Sequence, residues 1–143
     1  MCFKYYYENV LASQNITAKP NIVYLKHTTK VKEKNMFQEI QKNCRYGYVR
    51  VSSKSQEENS SLESQKKELL KEGVPEKNIR AEIGSAADSI EQRPVFYNLI
   101  DNELKENDLL LVTKIDRCSR STLEFLKLQK KLFDKSVKFI SFF

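Results

Sequence analysis

The chain has 143 residues, a formal net charge of +6 and an apolar fraction of 40%, which suits one domain with a real core and a short appendage. No run of about 18 apolar residues is present, and the N-terminus MCFKYYYENVL lacks a signal-peptide apolar core, so neither a membrane span nor a secretory leader is expected. The three cysteines, Cys2, Cys44 and Cys118, form no CxxC or His-rich grouping, which argues against a disulfide framework or a zinc site and fits a soluble protein in a reducing compartment.

Charge is unevenly spread. Residues 1–43 hold seven lysines against three glutamates, a local +4, so the remaining hundred residues carry only +2. Any anion handling in the later part must therefore be local. The first 44 residues read as a basic N-terminal extension, poorly ordered, with a short strand at 21–25 and a short amphipathic helix at 35–42. His27 has no partner of metal-ligand type nearby in the sequence and reads as a surface histidine.

From residue 45 the pattern changes. Arg45–Val51 (RYGYVRV) is rich in aromatic and β-branched residues and reads as a strand. Leu62, Leu69 and Leu70 in SLESQKKELLKEG mark an amphipathic helix, with Ser60 or Ser61 as cap and Gly73 as stop. A second strand is expected at 78–83, then a small, polar, mobile loop at 84–92. Pro94 opens the next helix, in which Val95, Leu99, Ile100 and Leu104 recur at helical spacing. The run at 108–113 (DLLLVT) is apolar enough to be buried on both faces of a parallel sheet. A polar loop, KIDRCSRS, follows. Ser121 or Thr122 caps a further helix carrying Leu123, Leu126, Leu128 and Leu132, and a last strand is expected at 137–142. The alternation predicts an α/β fold: a small, mainly parallel sheet of about four strands joined by right-handed crossovers, with helices on both faces.

Two loops then attract attention, because both follow apolar strands and parallel strands deliver such loops to one sheet edge. The first contains Arg50 and Ser52, the second Asp116, Arg117 and Arg120. Lysines outnumber arginines nineteen to six, so each arginine stands out as a planar fork suited to phosphate. Arg50 also interrupts an apolar strand, a costly place for a charge unless an anion meets it. Arg117 and Arg120 precede a helix N-terminus, where cations oppose the dipole and anions are welcome. No histidine accompanies Ser52 as in a Ser-His-Asp hydrolase, and no glycine-rich phosphate loop exists. A serine among arginines suits attack on a phosphodiester, the guanidiniums neutralising its oxygens. Asp116 is then the candidate acid or base, or the group that orients an arginine.

These stretches carry a resemblance. YGYVRVSSKSQ…SLESQKKEL, then GSAADSIEQRPVFYNLI, then LLLVTKIDRCSRS, resemble in order and spacing the catalytic domain of the serine recombinases, the resolvase/invertase family, over 46–143. The resemblance implies that Ser52 is a nucleophile forming a 5′-phosphoserine link to double-stranded DNA and freeing a 3′-hydroxyl. It matches Arg50, Arg117 and Arg120 to the family's active-site arginines, Asp116 to its aspartate, and Gln56 and Gln65 to two supporting glutamines. Arg93 matches the arginine ahead of the second helix. Glu82 stands where the family commonly has aspartate. The family uses neither metal nor high-energy cofactor and works as dimers and tetramers. Its members continue into further catalytic-domain structure, a long dimerising helix and a DNA-binding domain. Residues 45–143 are therefore expected to form an incomplete catalytic domain without a C-terminal DNA-binding domain.

Two rivals stay open. One is a truncated remnant, no longer an enzyme, that is inert or interferes with an intact recombinase. The other is a different α/β phosphate-handling protein such as a phosphatase or nuclease, against which the lack of an acidic cluster of two-metal type speaks. Abundant Lys, Asn, Ile and Phe without Trp suggest an AT-rich coding genome, such as that of an organelle, virus or mobile element.

Overall fold

The apolar runs of the sequence become the middle of a parallel sheet. The computed structural model describes residues 22–24, 40–53, 55–85 and 88–141. Its strands are β1 (Ile22–Tyr24), β2 (Arg45–Val51), β3 (Ile79–Ile83), β4 (Leu109–Val112) and β5 (Lys138–Ser141). Its helices are α1 (Gln56–Lys71), α2 (Pro94–Asn98), the one-turn α3 (Ile115–Cys118) and α4 (Thr122–Asp134). α2 runs on into a π-helical turn, Leu99–Glu103. The sheet order is β1-β5-β4-β2-β3, and every neighbouring pair is parallel. The fold is α/β, as the alternation of elements predicts.

The core lies in two layers, one on each sheet face. Tyr48, Leu110, Val112 and Phe139 pack with Phe96, Leu99 and Ile100 from α2 and its extension, and with Phe125, Leu128 and Leu132 from α4. Val49, Leu109, Leu111 and Ile140 pack with Leu69 of α1 and with Val74, Leu62 flanking them. Successive side chains of β4 therefore alternate between the two layers, and all four of its residues are buried. Gly47 lets α1 come close: a Cβ there would lie 2.6 Å from Leu69 Cδ1. Gly73, at φ +82°, turns the chain out of α1, and a Cβ would meet the Arg45 guanidinium.

Several element boundaries differ from those expected, each for a local reason. α1 starts at Gln56 with Ser55 as its cap, its Oγ accepting from the Glu58 amide; Ser60 and Ser61 lie inside the helix. Its first turn, QEENS, is wholly polar and carries no apolar periodicity, although Glu57 and Glu58 suit a helix N-terminus. The loop expected at KIDRCSRS contains the helical turn α3. On α4 the buried stripe is Phe125, Leu128, Gln129 and Leu132, whereas Leu123 is exposed. The strand expected at 21–25 is present as β1 and pairs with β5, so the sheet has five strands instead of about four. The rest of residues 1–39, most of the helix expected at 35–42, and residues 86–87 of the 84–92 loop lie outside the described residues.

Candidate active site

Because all strands are parallel, β2, β3 and β4 end on the same edge. Arg50 ties their exits together. It is 1% exposed; its Nε donates to the Arg117 carbonyl at 3.2 Å, Nη2 to the Asp116 carbonyl at 3.4 Å, and Nη1 to the Gly84 carbonyl. Peptide carbonyls, and not an anion, thus meet this charge. Burial first, and then the like charges of Arg117, Arg120 and Arg93, hold the guanidinium below its ordinary value. Three further arginines thus lie near enough for their charge to act on Arg50. The other two are committed elsewhere: Arg45 to the carbonyls of Ile40 and Glu72, and Arg80 to the Glu103 carboxylate.

Gln65 finishes the end of β2. Register with β4 stops at Gly47, so the Arg50 peptide lacks a strand partner on that side. The Gln65 side chain takes its place: Oε1 accepts from the Arg50 amide at 3.3 Å and Nε2 donates to the Arg50 carbonyl at 3.1 Å. Arg117 Nη1 reaches the same carbonyl at 3.5 Å. Gln65→Leu would leave the Arg50 amide buried and unmet and its carbonyl with the long Arg117 contact alone, so it is expected to lower stability by about 1–3 kcal/mol in a urea melt. Gln65→Glu, which keeps an acceptor but loses the donor, should recover only part of that loss.

Glu82 lies beside Arg50 in register on β3, yet it is spent on other partners. It accepts from the Tyr48 hydroxyl at 2.7 Å and from the amides of Val95 and Phe96 at 3.0 and 3.3 Å. The carboxylate so anchors the first turn of α2, whose amides have no partner within the helix. Burial and this hydrogen bond push the Tyr48 phenol far above its ordinary value.

Arg93 is the most exacting group. It is 1% exposed, its guanidinium carbon lies 4.7 Å from the Phe96 ring centroid, and Nε, Nη1 and Nη2 are all buried without a hydrogen-bond partner. A cation–π contact repays a small part of the desolvation of a full charge. Arg117 Nε and Asp116 Oδ1 are likewise buried and unmatched. Arg120 is exposed at the rim. Unmatched donors on the two guanidiniums of Arg93 and Arg117 are of the kind that suits a tetrahedral oxyanion.

The side chains that could serve as nucleophiles differ in exposure. Cys118 is fully buried, and burial pushes its thiol up to about 12, so it stays protonated and unreactive at neutral pH. Ser52 is exposed just beyond β2, and its Oγ donates to Glu58 Oε1 at 3.1 Å. Gln56 is exposed at the first position of α1. The structure therefore brings Arg50, Gln65, Asp116 and Arg117 into contact and Arg93 and Arg120 into the same field, with Glu82 bracing α2 behind them. Glu58 is the site residue that sequence reasoning missed. With the cap expected at Ser60 or Ser61, nothing in the sequence singled it out, and the one signal available was the Ser55-x-x-Glu58 spacing of a capping pair.

Residues 45–143 match the family described as resolvase, N terminal domain. The chain belongs to that family, the catalytic domain of the serine recombinases. It is 32% identical over 97 residues to the Transposon Tn2501 resolvase of Escherichia coli, an alignment covering 65% of this chain and 46% of that one. The chain thus spans about half the length of the curated relative it matches. Among solved structures, the N-terminal catalytic domain of TP901-1 integrase is 33% identical, with a TM-score of 0.59 over 68% of this chain and 76% of that one. A serine recombinase from Sulfolobus solfataricus, 24% identical with a TM-score of 0.55 over 68% of this chain and 66% of that one, shares the fold. No group of three or more His, Cys, Asp or Glu side chains among the described residues is placed to hold a metal ion.

Proposed function

We propose that this resolvase-family domain carries the chemistry of a site-specific DNA recombinase, in which Ser52 cuts and rejoins DNA through a 5′-phosphoserine link. The observation that carries the reading is Arg93: a buried guanidinium with three unmatched nitrogens, whose charge, like those of Arg117 and Arg120, acts on Arg50 at the end of the strand beyond which the exposed Ser52 stands. A scissile phosphate seated there brings its non-bridging oxygens to Arg93, Arg117 and Arg120. Charge then builds in the transition state where donors already wait, which is the largest source of catalysis in such sites. Ser52 Oγ bonds to phosphorus as the bond to the 3′ oxygen breaks, leaving a 3′-hydroxyl. Because one phosphoester replaces another, the reverse attack rejoins strands without a metal or a high-energy cofactor. Arg50 and Gln65 set the backbone from which Ser52 projects, Asp116 stands to orient Arg117, and Gln56 faces the DNA at the start of α1. Double-stranded DNA is the substrate, and pairing of two duplexes calls for dimers and tetramers of this chain.

The test is covalent capture. Purified protein is incubated with supercoiled DNA carrying the sequences that flank its coding region, then denatured and run on a gel. Protein-linked DNA that disappears in Ser52→Ala is the expected result. An adduct that survives in Ser52→Ala, or its absence from the unaltered protein at every site and concentration, overturns the reading.

A further inference from the structure

We infer that Glu58 is the proton acceptor for Ser52, an inference that rests on Ser52 being the nucleophile. Among the described residues, the hydrogen bond to Glu58 Oε1 at 3.1 Å is the one Ser52 Oγ makes. The donor is the hydroxyl, so the proton already points at the carboxylate. Asp116, another carboxylate near this edge, makes no hydrogen bond to Ser52 among the described residues, and its Oδ1 is buried without a partner.

The local backbone explains why Glu58 is available. A glutamate three residues after a serine cap ordinarily turns back to accept the cap's own amide. Here the Ser55 side chain does its half, accepting from the Glu58 amide at 3.3 Å. The other half is taken over by Ser53, whose Oγ accepts the Ser55 amide at 3.4 Å. The Glu58 carboxylate is released from capping and reaches past the cap to Ser52. It stands in the first turn of α1, directed at the Ser52 hydroxyl. The four guanidiniums supply no acceptor, since arginine carries donors only.

In the cleavage step the Ser52 O–H bond breaks and its proton passes to Glu58 Oε1 while Oγ bonds to phosphorus. The phosphorus–O3′ bond breaks, its electron pair goes to O3′, and that oxygen takes a proton from water. Rejoining reverses each transfer, with Glu58 returning the proton to Oγ.

The experiment separates this role from a merely structural hydrogen bond and needs no DNA. The full chain is treated with a fluorophosphonate, in which Ser52 Oγ displaces fluoride from phosphorus, and labelling is followed by mass spectrometry with peptide mapping. Glu58→Gln keeps the shape and can accept the hydroxyl's hydrogen bond through its amide oxygen, but it cannot take a proton. The expected result is labelling at Ser52 ahead of Ser53 and Ser55, slowed at least tenfold in Glu58→Gln, with circular dichroism showing that the variant is folded. Labelling of Glu58→Gln within twofold of the unaltered chain, or faster, overturns the proposal, as does labelling that falls on Ser53 or Ser55 instead. The DNA-adduct assay fails independently. Loss of the adduct with Glu58-dependent labelling intact removes the recombinase reading alone, and an adduct without Glu58-dependent labelling removes the role of Glu58 alone.

Discussion

Arg93→Met is expected to make the protein more stable and the site unable to hold an oxyanion. The guanidinium is buried with three unmatched nitrogens, and its one described compensation is the Phe96 ring. Methionine keeps apolar contact with that ring and fills an irregular space while removing the desolvation cost. Replacing a buried charge in this way stabilises proteins by about 1–4 kcal/mol. At about 2–4 °C per kcal/mol for a domain of this size, the melting temperature should rise by several degrees. The companion measurement uses inorganic sulfate. The unaltered chain should melt at progressively higher temperature as sulfate is added, because a ligand that binds only the folded state stabilises it, and Arg93→Met should not respond. A fall in melting temperature for Arg93→Met would mean that Arg93 is structural, and would remove the central support for an anion site.

Arg50→Met should do the opposite to stability, although the two arginines share one site. Arg50 supplies the donors for the carbonyls of Gly84, Asp116 and Arg117, which belong to two separate loops. Hydrogen bonds from a charged donor contribute about 1.5–3 kcal/mol each, offset in part by the desolvation that methionine would relieve. A net loss of about 3 kcal/mol is expected, a large fraction of the 5–15 kcal/mol that holds a typical domain together. Chemical denaturation measures it directly. Amide exchange should show residues 84–85 and 115–118 losing protection first. Arg50→Lys should recover little, since one ammonium cannot span the three acceptors that the planar fork reaches. An unchanged denaturation midpoint would show that the loops are held by something else.

The contrast between these arginines marks where sequence reading stops. Both were candidates from the sequence, Arg50 because it interrupts an apolar strand and Arg93 through the resemblance to the serine recombinases. That one is met by peptide oxygens while the other keeps three unmatched nitrogens depends on how the loops meet, and no periodicity encodes that. The same division runs through the fold. β2 has the bounds expected from RYGYVRV, and α2 opens on Pro94 as expected, because apolar runs and proline act locally. The start of α1 was illegible because QEENS has no apolar residue to set a phase, and α3 because a single turn is too short to show one. Glu58 was hidden for a subtler reason. The cap was expected at Ser60 or Ser61, so Glu58 fell before the expected helix, and only the position of the Ser53 hydroxyl shows that the Ser55 amide is met without it. Lys54, inside this same loop, lies outside the described residues.

The pairing of β1 with β5 carries a consequence for the order of assembly. Ile22 sits opposite Phe139, so the contact joins segments more than a hundred residues apart. β2 and β3, in contrast, close through α1 alone. Long-range pairing brings its reward only after the intervening chain has been organised, and it forms late for that reason. On a ribosome, β1 emerges early but has no strand to join until the last residues of β5 are released. From then until β1 docks, the outer side of β5 is a template for any extended segment that reaches it first. A three-residue strand is short competition, so exchange at this edge between copies of the chain during folding is governed by protein concentration and synthesis rate, and not by the stability of the finished sheet.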